Sequence, residues 1–139
     1  MIYPESFEKK IGFEDIRTLL KGRCMSSLGT EWVDNRLKFL TDHAEVVEAL
    51  EQAREYVRFM QETVDVEENY FDVRQALMRI RPERTYMEEL ELFDLKRSLR
   101  TVIDLIQIIT AREEESEECQ YPALARMAEG VSTFPSLVE

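Results

Sequence analysis

The chain has 139 residues, 44% hydrophobic and 34% charged, with a net charge of -11, 4 glycines and 4 prolines. So few punctuating residues exclude a many-stranded sandwich or barrel. Two cysteines and one histidine exclude a disulfide framework, a cysteine-based zinc site and most triad chemistry. The charge is uneven: residues 1–41 and 71–101 each carry a net +1, whereas 42–70 carry -7 and 102–139 carry -6. Neither acidic block could lie against phosphates without repulsion, and both read as solvated helix face or loop. The densest apolar stretch, Val102 to Ile109, is broken by Asp104 and Gln107, so no membrane span is expected. The opening Met1-Ile2-Tyr3-Pro4-Glu5 lacks the basic-then-apolar order of a secretory signal, and a reduced, cytoplasmic protein is the expectation.

Hydrophobic spacing predicts an all-α fold. Phe13, Ile16, Leu20 and Cys24 repeat at three and four residues, giving a first amphipathic helix with Gly22 in its last turn. Ser26-Ser27 offer an N-cap for a second helix, which is expected to bury Leu28, Trp32 and Phe39 or Leu40. Thr41-Asp42 cap a third helix reaching about Glu62. There Val46, Leu50, Ala53, Val57 and Met60 form the expected core stripe, with Glu45, Glu48, Glu51 and Glu55 on the other faces. Ala49 and Ala53 would let a partner helix approach closely. Residues 63–71 read as an acidic loop. Asp72 is expected to cap a short helix stopped by Pro82.

Thr85 and Glu88 make a capping-box pattern before a long run. Leu92, Leu95, Leu99, Val102, Ile106 and Ile109 then keep a 3-4 stripe, predicting a helix from about Tyr86 to Arg112. That is about 40 Å of helix against a compact diameter of about 36 Å for this length, so an elongated bundle is expected. The acidic run 113–118 should fray into a loop, with a short helix from Ala123 to Glu129 ending at Gly130. Phe134, Leu137 and Val138 give the chain an apolar ending, read either as a cut chain or as a docked terminus. The predicted organisation is one helical domain, 1–139. Its parts are N-terminal helices 1–41, an acidic helix 42–62, the loop 63–71, a helical hairpin 72–112 with the long helix, and a loop with short helix 113–139.

No segment matches a phosphate-binding loop, a dinucleotide fingerprint or a nucleophile elbow, so no catalytic, cofactor or metal-ligating residue is assigned. His43 and Cys24 read as packing or surface residues, and the Cys119 thiolate is disfavoured by its acidic neighbours. One cluster departs from the acidic background: Arg74, Arg79, Arg81 and Arg84 fall within eleven residues. Two readings fit it. One is salt bridging to the neighbouring acidic helix; the other is a contact to phosphate or to another domain, with domain docking ahead of DNA.

Several stretches resemble the second bacterial branch of the MutS family. They are Phe7-Glu-Lys-Lys-Ile-Gly-Phe-Glu-Asp-Ile-Arg-Thr-Leu-Leu20, Ser26-Ser-Leu-Gly-Thr-Glu31, Tyr70-Phe-Asp-Val-Arg-Gln-Ala-Leu-Met-Arg-Ile80, Tyr86 and Glu91-Leu-Phe-Asp-Leu-Lys-Arg-Ser-Leu99. The chain departs from the family at Ala53-Arg54-Glu55, where a threonine is common before the glutamate. A second departure is Glu83-Arg84, where the turn before the long helix commonly has glycine. The resemblance implies the N-terminal core or lever segment of a dimeric DNA-repair or recombination ATPase, often ending in an Smr nuclease domain. ATP and magnesium would belong to that parent rather than to these residues. Its partners would be the clamp and ATPase domains of its own chain, with DNA bound through the whole protein and weakly or not at all by this segment. The segment itself would be no enzyme. The alternative expectation is a stand-alone helical interaction or dimerisation module.

Overall fold

The computed structural model describes residues 6–62, 69–112 and 119–138. The protein is all-α: these residues form seven α-helices and one 3-10 turn, with no strand among them. They fall into two compact units, Met1–Phe39 and Leu40–Glu139. The acidic stretches 63–68 and 113–118, expected as loops, lie outside the described residues.

The first unit holds α1 (Phe7–Lys10), α2 (Phe13–Lys21) and α3 (Ser27–Arg36). Gly12, at φ +76°, makes the left-handed break between α1 and α2 that a side chain would strain. Helix α2 stops at Lys21 with Gly22 as its C-cap, so Cys24 lies beyond the helix whose stripe it was expected to complete. Ser26 caps α3 as expected, its hydroxyl accepting the Gly29 N–H at 3.3 Å.

Arg17 holds this unit together. Its guanidinium donates to the Val33 and Leu37 carbonyls at 3.1 and 3.0 Å, satisfying acceptors left open at the end of α3. It also binds the Glu8 carboxylate of α1 at 2.7 Å and lies over the Phe13 ring. These bonds draw Val33 inward, and Val33 is the residue α3 buries. Trp32, one position and about 100° around the helix, is 58% exposed; Leu28 and Phe39 are exposed too, and Leu40 is half-buried. The expectation that Leu28 and Trp32 form the buried face is therefore corrected.

The second unit holds α4 (His43–Glu62), α5 (Arg74–Arg79), α6 (Glu89–Thr110), α7 (Pro122–Ala128) and the 3-10 turn Pro135–Leu137. Asp42 caps α4, its Oδ1 accepting the N–H groups of Ala44 and Glu45 at 2.9 and 3.0 Å. Helix α7 packs against both α4 and α6. Phe59, Tyr121 and Leu124 form the buried cluster, with Leu105, Ile108 and Ile109 of α6 against it.

The face that α4 turns inward is not its apolar stripe. Leu50 and Val57 are 52% and 57% exposed, and Met60 and Ala53 are exposed as well, whereas Phe59 is 3% exposed. Around Phe59 the inward face is carboxylate. Glu62 accepts the Tyr121 hydroxyl at 2.7 Å, and Glu55 accepts the Leu124 N–H at 2.9 Å. Glu48 and Glu51 pair with Arg126 at 2.7 and 3.3 Å. A seven-residue helix does not hold itself in water, and α7 has no side-chain cap of its own. Glu55 supplies that cap from another helix, at the end where the dipole favours an anion. The stripe predicted from Val46 to Met60 is thus corrected: α7 demands acceptors, and α4 meets it with acids.

Helix α6 spans 22 residues, about 33 Å, and is shorter than the predicted 86–112 at both ends. Its cap lies three residues later than expected. Glu88 is the N-cap, exchanging side-chain bonds with Glu91, while the Thr85 hydroxyl is tied to the Pro82 carbonyl at 2.6 Å. Its buried face centres on Thr101 rather than on Leu92, which is exposed. The chain before α5 is fastened to α6 by Arg97. That guanidinium donates to Asn69 Oδ1 and lies over the rings of Phe71 and Phe93, while the Phe71 N–H donates to Ser98 Oγ at 3.1 Å.

Stability measurements separate the two faces of α4. Phe59→Ala should cost about 3–5 kcal/mol, whereas Leu50→Ala or Val57→Ala should stay below about 1 kcal/mol; chemical denaturation of the three variants checks this. Acid supplies a second measurement. The Arg126 guanidinium bonded to Glu48 holds that carboxyl below its ordinary value near 4.5. A depressed folded value means stability that is present above the unfolded value and lost as pH falls through the folded one. Melting temperature should therefore drop as pH falls below about 4.5, and Glu48→Gln should flatten that acid limb.

Candidate functional site

Among the described residues no group of three or more His, Cys, Asp or Glu side chains could hold a metal ion. No helix of the described residues is long and apolar enough to cross a membrane. A shallow recess in the second unit is bordered by Arg100, Asp104, Gln107 and Val138, but its two charges already form an i,i+4 pair at 3.5 Å. The place where sequence and structure both concentrate unusual chemistry is the corner joining α5 to α6.

The four arginines of this stretch have different fates. Arg74 is held by Asp72, whose carboxylate accepts from its Nε at 2.8 Å, its Nη2 at 2.7 Å and its backbone N–H at 3.2 Å. Asp72 was expected to cap α5; the N-cap position falls to Val73, and the Asp72 carboxylate takes the backbone N–H of Arg74, the first residue of the helix, together with its guanidinium. Arg79 pairs with Glu91, bolting the end of α5 to the first turn of α6. The Arg79 hydrogen bond, helped by the Glu88 N–H, holds the Glu91 carboxyl below its ordinary range. The pairing expected with the acidic helix 42–62 is not where these two arginines go. Helix α4 takes Arg126 and its own Arg58 instead.

Arg81 and Arg84 are different. Both are exposed, and neither side chain makes a hydrogen bond or ion pair among the described residues. Arg84 also has φ +64°, the one positive value at a non-glycine residue described. The left-handed region brings Cβ against the following carbonyl and costs about 1–2 kcal/mol for an L-residue. Close to them in the sequence, Met78, Tyr86 and Leu90 are exposed apolar side chains; Tyr86 is 83% and Leu90 75% exposed. Exposed Glu83, Glu88 and Glu89 are interleaved with them. Guanidiniums can bind carboxylates or other anions, but they provide neither nucleophile nor general base.

No family model, curated protein or solved structure matches the chain.

Of the four predicted site residues, the structure therefore separates Arg74 and Arg79, which are committed to internal pairs, from Arg81 and Arg84, which are not. Sequence reasoning gave no signal for the exposed Tyr86 and Leu90, which stand at the start of the predicted 86–112 helix, ahead of its stripe from Leu92 to Ile109. Backbone strain gives the measurement. Arg84→Gly should stabilise the protein by about 0.5–1 kcal/mol, the relief of left-handed strain less the extra freedom of glycine in the unfolded chain. Arg84→Val should destabilise it by about 1 kcal/mol or more. Paired thermal melts at neutral pH test the signs.

Proposed function

We propose that this chain is a non-catalytic, cytoplasmic helical segment from the core of a MutS-type DNA-repair or recombination ATPase, passing movements between DNA-facing helices and a downstream ATPase. The observation that carries the reading is the left-handed turn at Arg84, directly before α6. The resembling family commonly has glycine in that turn, and a positive φ is the backbone state glycine serves. A positive φ at Arg84 is the geometry a glycine in that turn would take, and it supports the resemblance. The helix order supports the same reading: a long Glu-rich helix, a short helix and then the 22-residue α6. Stiff helices of this length favour rigid-body movement over bending. The outward apolar side of α4, with Leu50, Val57 and Met60 exposed, is the kind of surface further core helices cover. ATP, magnesium, dimer contacts and DNA would belong to the parent chain.

A second reading, a stand-alone interaction or dimerisation module, draws on that same exposed stripe. The reading frame and the native protein separate the two. A native species far above 16.5 kDa, with a phosphate-binding loop downstream of Glu139 and ATP hydrolysis that survives repurification, is expected. A native 16.5 kDa species without such a continuation would overturn the core-segment reading in favour of the module.

These 139 residues alone should hydrolyse no ATP above a denatured control. They should also bind branched DNA weakly or not at all near 150 mM salt (about physiological), because their net charge is -11. Micromolar binding in a fluorescence titration at that salt would contradict the second expectation.

A further inference from the structure

We draw no further inference here: the strongest candidate, the outward apolar face of α4 with Leu50, Val57 and Met60 exposed along it, is an unpartnered helix face, and nothing in the structure shows what covers it.

Discussion

The second unit depends on how α4 holds α7. A helix of seven residues brings unsatisfied N–H groups at one end and an arginine near the other, and α4 answers both with carboxylates set at helical spacing. Between them Phe59 and Tyr121 meet edge to face, their centroids 5.6 Å apart. The Arg58 guanidinium covers the tyrosine ring from the other side at 4.8 Å. The polar contacts set the register: Glu48, Glu55 and Glu62 each bind a different part of the α7 region. Helix α6 then closes the cluster with Leu105, Ile108 and Ile109.

What could be read in the sequence was local. Ser26 and Asp42 act as caps where their side-chain oxygens stand just ahead of helical periodicity, and the 43–62 helix follows its pattern from end to end. Periodicity identifies a face without saying what covers it. In α4 the apolar stripe and the carboxylate stripe repeat at the same spacing, and α7, more than sixty residues downstream, chooses the second. Arg17 shows the same limit. One basic residue in an amphipathic helix gives no local signal, because its acceptors on Val33 and Leu37 are 16 and 20 residues away. At the α5–α6 corner the density of arginine was legible. Its division into paired and unpaired members required knowing that Glu91, twelve positions on, folds back to Arg79.

Both faces of α4 therefore carry information. Its inward side is specific and polar, and recognises one short helix by position. Its outward side is apolar and, apart from Arg54, free of charge along Val46, Leu50, Ala53, Val57 and Met60. In a chain with net charge -11, that makes it a surface another helix could approach without meeting an acid. The α5–α6 corner is of another kind, with cations, acids and apolar groups interleaved over a few residues.

The two joints of the second unit also differ in chemistry. Helix α7 is fastened through carboxylates, which lose their charge when protonated. The segment before α5 is fastened through Arg97, which lies over the Phe71 and Phe93 rings and donates to the Asn69 amide oxygen. Acid should therefore reach the Arg126 end of α7, where Glu48 gives up its charge and with it the hold of α4 on that helix.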